Sequence, residues 1–274
     1  MIPLIASLLV VMSSVGPAAA LTIEAPLVLW VWERPTSAVI DTAVADGFGT
    51  VYLHVPPGSS SNGNMRRFVQ SAHQASVEVF ALAGVPGWAQ EPDSFYAWLD
   101  EVVESGQFDG IVVDIEPYLL PDWKHPKRRA GLMDDYLDVL DGARVKAGAL
   151  PVVATVPFWW DDPRYQVGRD SLLIEEVLKR ADTIAVMAYR DLLHTNDGIV
   201  ALTSSEITMA AASGKQAVVT LQVAPDTLSK VTFAEEGHDA LVSAAASLAE
   251  IWQVGRGFGG IAIHSFGPYV ELAP

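Results

Sequence analysis

The chain has 274 residues, half of them hydrophobic and only 18% charged, so it can bury a sizeable core and wholesale disorder is excluded. A net charge of −16 argues against a nucleic-acid partner, because phosphate binding depends on Lys and Arg. With no cysteine there are no disulfides, thiolate metal sites or cysteine nucleophiles; the six histidines form no His-x-x-x-His pair, and neither metal nor cofactor is expected.

Residues 1–20, "MIPLIASLLVVMSSVGPAAA", have an apolar centre followed by Ala18-Ala19-Ala20. That is the shape of a secretory leader, although no basic residue opens it. The mature chain is then expected to begin near Leu21 and to be secreted or periplasmic. No later stretch is long and apolar enough to span a bilayer.

Short β-branched runs then alternate with amphipathic stretches. The expected strands are 27–32 (LVLWVW), 50–55 (TVYLHV), 77–84 (VEVFALAG), 110–116 (GIVVDIE), 151–156 (PVVATV), 183–189 (TIAVMAY), 216–223 (QAVVTLQV) and 259–266 (GGIAIHSF). Helical patterns between them include 37–47, 94–106, 133–148, 171–181 and 239–255, several ending in glycine. Eight such strands over about 250 residues predict a (β/α)8 barrel filling one domain, 21–274. A doubly wound sheet is the weaker reading, since no Gly-x-Gly-x-x-Gly follows the first strand. The chain ends soon after the eighth strand, so the last helix is short or absent.

In a (β/α)8 barrel the active site is built at the C-terminal ends of the strands. Those positions carry Trp30, Trp32 and Glu33, then His54, Asp114 and Glu116, then Trp160 and Asp161, and finally Tyr189, Arg190, Gln222 and His264. Aromatic plates beside polar groups suit sugar rings, whose faces are apolar and whose edges are polar. Each aromatic also has a plainer reading as core, and His54 and His264 as satisfied interior histidines. In "FDGIVVDIEP" (108–117), Asp114 and Glu116 share one strand parity. Two acids aimed into a barrel mouth repel, which raises a carboxyl pKa toward that of a general acid.

These motifs resemble the family 18 glycoside hydrolases, the chitinase-like barrels. The family's fourth strand reads Asp-Gly-x-Asp-x-Asp-x-Glu, and this chain has Asp109-Gly110-Ile111-Val112-Val113-Asp114-Ile115-Glu116. Its sixth-strand Met-x-Tyr is matched by Met187-Ala188-Tyr189, and "ALAGVPGW", "VVATVPF" and "GGIAIHSF" are similar to its third, fifth and eighth strands. The resemblance implies that Glu116 protonates the leaving glycosidic oxygen and that Asp114 orients an acetamido group whose carbonyl oxygen attacks. Tyr189 would hydrogen-bond that same group. It also implies a carbohydrate substrate contacted by Trp30, Trp32, His54, Trp160, Met187, Arg190, Gln222 and His264. Three positions depart from the family: Val112 replaces its first inner Asp, Arg190 the Asp after the tyrosine, and His264 the Trp that floors the sugar subsite. A divergent glycosidase for another glycan is the first reading and a non-catalytic carbohydrate-binding barrel the alternative. A conventional two-carboxylate glycosidase using Glu33 or Asp161 with Glu116 stays open.

Overall fold

The computed structural model describes residues 23–273, so the expected leader at 1–20 lies outside the described residues. Within them, eight parallel strands close into a barrel. They are β1 (Leu27–Val31), β2 (Thr50–His54), β3 (Glu78–Ala83), β4 (Gly110–Val113), β5 (Val152–Pro157), β6 (Thr183–Met187), β7 (Gln216–Gln222) and β8 (Phe258–His264). Each strand pairs with its sequence neighbours, and β1 closes the ring against β8 through Leu27↔Ile261, Val28↔Ala262 and Leu29↔Ile263.

The crossovers are helical: α1 (Ser37–Asp46), α2 (Gly63–Gln74), α3 (Asp93–Ser105), α4 (Pro126–Ala147), α5 (Leu173–Arg180), α6 (Ile199–Ala212) and α7 (Gly237–Trp252). A six-residue α8 (Phe266–Glu271) follows the last strand. Helix α2 shows why these segments pack: Met65, Phe68, Val69 and Ala72 fall at helical spacing and all are buried. Gly47 and Gly106 end α1 and α3 in the left-handed conformation, which costs glycine least. No described helix is long and apolar enough to cross a membrane.

Strand alternation divides the core in two. Val28, Trp30, Tyr52, Leu82, Val112, Val153, Ala185, Val218 and Ala262 point inward and fill the barrel. The opposite parity, including Leu29, Val51, Ile111 and Ile184, packs outward against the helices. Following the inward parity toward the C-terminal ends leads from this apolar plug to the polar rim: Trp32, His54, Asp114, Thr155, Met187, Gln222 and His264. One expectation is refined at β4, which ends at Val113 rather than at Glu116. Asp114 keeps one ladder bond, its N–H donating to Ala83 O at 3.0 Å, while Glu116 caps a 3-10 turn at Pro117–Leu119.

Candidate active site

Asp114 sits just above Val112 in the barrel mouth and is 9% exposed. Where the resemblance implies an acidic partner at 112, the partner comes from the next strand: Thr155 Oγ1 donates to Asp114 Oδ1 at 2.6 Å. Burial pushes the Asp114 carboxyl up to about 7; the Glu116 charge adds to the rise and the Thr155 hydroxyl opposes it. Gly84 makes this placement possible, because a Cβ there would lie 1.8 Å from the Asp114 carbonyl oxygen. Only a residue without a side chain lets β3 approach β4 so closely.

Glu116 is half-buried and more open than Asp114. Burial raises its pKa too, against a hydrogen bond donated by the Tyr118 hydroxyl to Oε2. Tyr189, after β6, is held un-ionised first by burial and then by the charges of Asp114 and Glu116. Tyr136, on α4, feels the same two charges, and its buried hydroxyl has no partner among the described residues. Tyr118 thus bonds Glu116 directly, and the charges of both acids also act on Tyr189 and on the buried Tyr136. Near neutral pH such a pair retains a proton, and its titration belongs to the pair as a whole.

The other expected contact residues divide by depth. Trp32, His54, Gln222 and His264 stand together at the mouth: Trp32 packs on His54 with ring centroids 5.3 Å apart and donates its indole N–H to His264 Nε2 at 2.9 Å. The His264 ring lies 6.0 Å from that of Tyr189, which ties this group to the acid pair. Met187 is 8% exposed below Tyr189. Arg190 turns away into an ion pair with Asp197 at 2.7 Å, with its guanidinium over the Phe158 ring.

Two expectations need correction. Trp30 is 1% exposed and Trp160 0%, so neither ring has a face free for a ligand. Trp30 lies one layer below Trp32 in the barrel plug, and Trp160 is enclosed by Tyr118, Trp123, Tyr136 and Trp159. Thr155, Tyr118 and Tyr136 were not singled out by the sequence reading. Thr155 carried a signal, as the one hydroxyl in an otherwise apolar strand, and Tyr118 follows Glu116 by two residues. Tyr136 carried none, because it reaches the site from a crossover helix. Among the described residues, no cluster of three or more His, Asp or Glu side chains is suited to a metal ion.

No model of a protein family matches the chain, and no curated protein matches it. Solved structures do resemble it. A chitinase from Chromobacterium violaceum superposes with a TM-score of 0.57 at 12% identity, over 89% of this chain and 96% of that one. A GH18 chitinase from Cycas revoluta in complex with (GlcNAc)3 gives 0.56 at 14% identity, over 90% and 96%. The PgaB (BpsB) glycoside hydrolase domain from Bordetella bronchiseptica gives 0.56 at 13% identity, over 90% and 95%. The barrel is similar in fold to these glycoside hydrolases along nearly its whole length.

Proposed function

We propose that the protein is an exported glycoside hydrolase, a divergent relative of the family 18 enzymes, acting on a glycan that contains N-acetylhexosamine. The observation that carries this reading is the acid pair. Asp114 is buried at the barrel mouth with its carboxyl pushed up to about 7, beside a more open Glu116 that Tyr118 bonds, and the charges of both acids act on Tyr189. The similarity to structures of chitinases, one of them holding a GlcNAc trisaccharide, supports the substrate class.

In this mechanism Glu116 gives its proton to the glycosidic oxygen as the bond from that oxygen to the anomeric carbon breaks. The carbonyl oxygen of the substrate's own acetamido group bonds to the anomeric carbon, so no protein nucleophile is needed. Asp114 accepts from the acetamido N–H and stabilises the positive charge that develops there, while Thr155 keeps it in place. Tyr189 donates to the acetamido oxygen. Water, losing a proton to Glu116, then attacks the anomeric carbon and restores the acetamido group with retained configuration.

The test is hydrolysis of a glycan panel that includes N-acetylated polymers, with Glu116→Gln alongside. Turnover by the wild type and its loss in the variant support the assignment, and undiminished hydrolysis by the variant refutes it. The alternative, a carbohydrate-binding barrel without catalysis, is motivated by the apolar Val112 beneath Asp114. Glycan binding by the wild type with no turnover on any member of the panel decides for it.

A further inference from the structure

Trp32 is fixed in place by a chain of hydrogen bonds that runs in one direction only. Its indole N–H can only donate, so the acceptor, His264 Nε2 at 2.9 Å, is the unprotonated ring nitrogen. The imidazole proton is therefore on Nδ1, which faces Gln222 Oε1 at 3.3 Å. That same Oε1 accepts from the backbone N–H of Ala224 at 2.9 Å and shares the N–H of Val223, also at 2.9 Å, with the His264 carbonyl oxygen. Two backbone donors on one oxygen leave the Gln222 carboxamide a single orientation. From the end of β7 to the indole, each donor meets an acceptor and none of the links can be reversed. Burial, which lowers the His264 pKa to about 4, keeps the imidazole neutral as this arrangement requires.

The rings around Trp32 restrict it further. Trp30 lies 6.1 Å beneath it, and His54 packs on it at 5.3 Å with an interplanar angle of 43°. Despite this, Trp32 is only half-buried and lines a cavity of about 340 Å³ with Glu33, Arg34, His54, Asn62 and Asn64. That volume falls at the small end of ligand pockets, room for roughly one or two sugar rings. His264 stands between the two regions, its ring 6.0 Å from Tyr189 on the acid side and bonded to Trp32 on the cavity side. A rim tryptophan without such a bond would have to be ordered by the ligand at a cost in affinity; here the fold has already ordered it.

We propose that Trp32 is the stacking plate for a sugar ring next to the one held at the acid pair, and that His264, itself fixed by Gln222, is the residue that positions it. This rests on the glycan reading above. His264 is a positioning residue with no part in proton transfer.

The experiment has an arm without ligand and an arm with one. In the first, the exchange rate of the Trp32 indole N–H is followed by NMR, with Trp32→Phe identifying the resonance. Exchange should accelerate by about tenfold or more in His264→Phe and slow again in His264→Gln, whose side-chain carbonyl can accept the bond. In the second, a tetrasaccharide of N-acetylglucosamine is titrated into Glu116→Gln protein. Adding His264→Phe or Trp32→Ala should weaken binding about five- to tenfold, and the two together no more than the worse of them, because the first releases the plate that the second removes. In enzyme retaining Glu116, the loss should fall on KM rather than on kcat, and His264→Gln should recover most of it. If the Glu116→Gln parent binds but both substitutions leave its affinity unchanged, this inference is overturned while the glycan reading stands. If the folded parent binds no N-acetylated glycan, the glycan reading falls and this inference falls with it. Unchanged indole exchange in His264→Phe also overturns it, since His264 would then not be holding the ring.

Discussion

Helix α6 carries a carboxyl group that the proposed chemistry does not use, and it makes a quantitative prediction about stability. Glu206 is 1% exposed, and neither of its carboxyl oxygens has a hydrogen-bond partner among the described residues. Burial pushes its pKa from 4.5 up to about 8; its own backbone N–H opposes the rise and the negative charge of Asp161 adds to it. The folded state therefore favours the protonated acid, whereas the unfolded chain ionises it at the ordinary value. Stability from this group is fully present below about pH 4.5 and is lost as pH rises through about 8. At about 1.4 kcal/mol per pH unit, the penalty is below about 1 kcal/mol at pH 5 and approaches about 5 kcal/mol at pH 9. Glu206→Gln keeps the shape and removes the ionisation, so its advantage over the wild type should be small at pH 5 and grow to several kcal/mol at pH 9. Glu206→Met also removes the unpaired polar atoms and should be the more stable variant at both values. The assay is denaturant unfolding of all three proteins at pH 5, 7 and 9, read as variant minus wild type so that other titrating groups cancel. Parallel pH profiles for wild type and Glu206→Gln would refute the reasoning, because they would mean that Glu206 ionises alike in both states.

Four further outcomes test the site. Glu116→Gln should lower turnover by about 10²- to 10⁴-fold, the range for a lost general acid, while a glycan still binds when followed by calorimetry. Wild-type kcat/KM should decline as pH rises past about 7, where the pair gives up the proton that the Asp114 environment retains; a profile flat to pH 9 would contradict this. Thr155→Val removes the one hydrogen bond that opposes the rise at Asp114, so that carboxyl should titrate at still higher pH, checked by its ¹³C resonance in a pH series. Gly84→Ala puts a methyl 1.8 Å from the Asp114 carbonyl oxygen and should cost about 1–3 kcal/mol in denaturant unfolding, with activity falling as Asp114 shifts.

The barrel was legible because its strands differ so plainly from what surrounds them. Each of the eight expected runs overlaps a barrel strand, with ends displaced by at most a few residues. The largest displacement is at β4, where the ladder stops at Val113 and the two acids belong to the loop. Helix α2 follows simple periodicity, whereas α6 hides its inner face by placing Glu206 and Thr203 on it, so polarity alone mistakes a buried side for an exposed one. The resemblance pointed to the acid pair and Tyr189, and these lie close enough for each acid's charge to act on the tyrosine.

Read alone, the sequence determined the order of the elements, the inward parity of each strand and therefore which side chains head for the barrel mouth. Depth was decided only in three dimensions. Trp30 and Trp32 share a parity and a residue type and stand two residues apart, yet one is sealed in the plug and the other, just past the end of β1, lines a cavity. Alternation sets the direction of a side chain but not its height, which depends on how the strands are staggered around the closed barrel. The partnerships were likewise hidden: Thr155 reaches Asp114 across 41 residues and His264 reaches Trp32 across 232. Closing the barrel brings β4 beside β5 and β8 beside β1, and that closure turns distant positions into a hydrogen-bonded site.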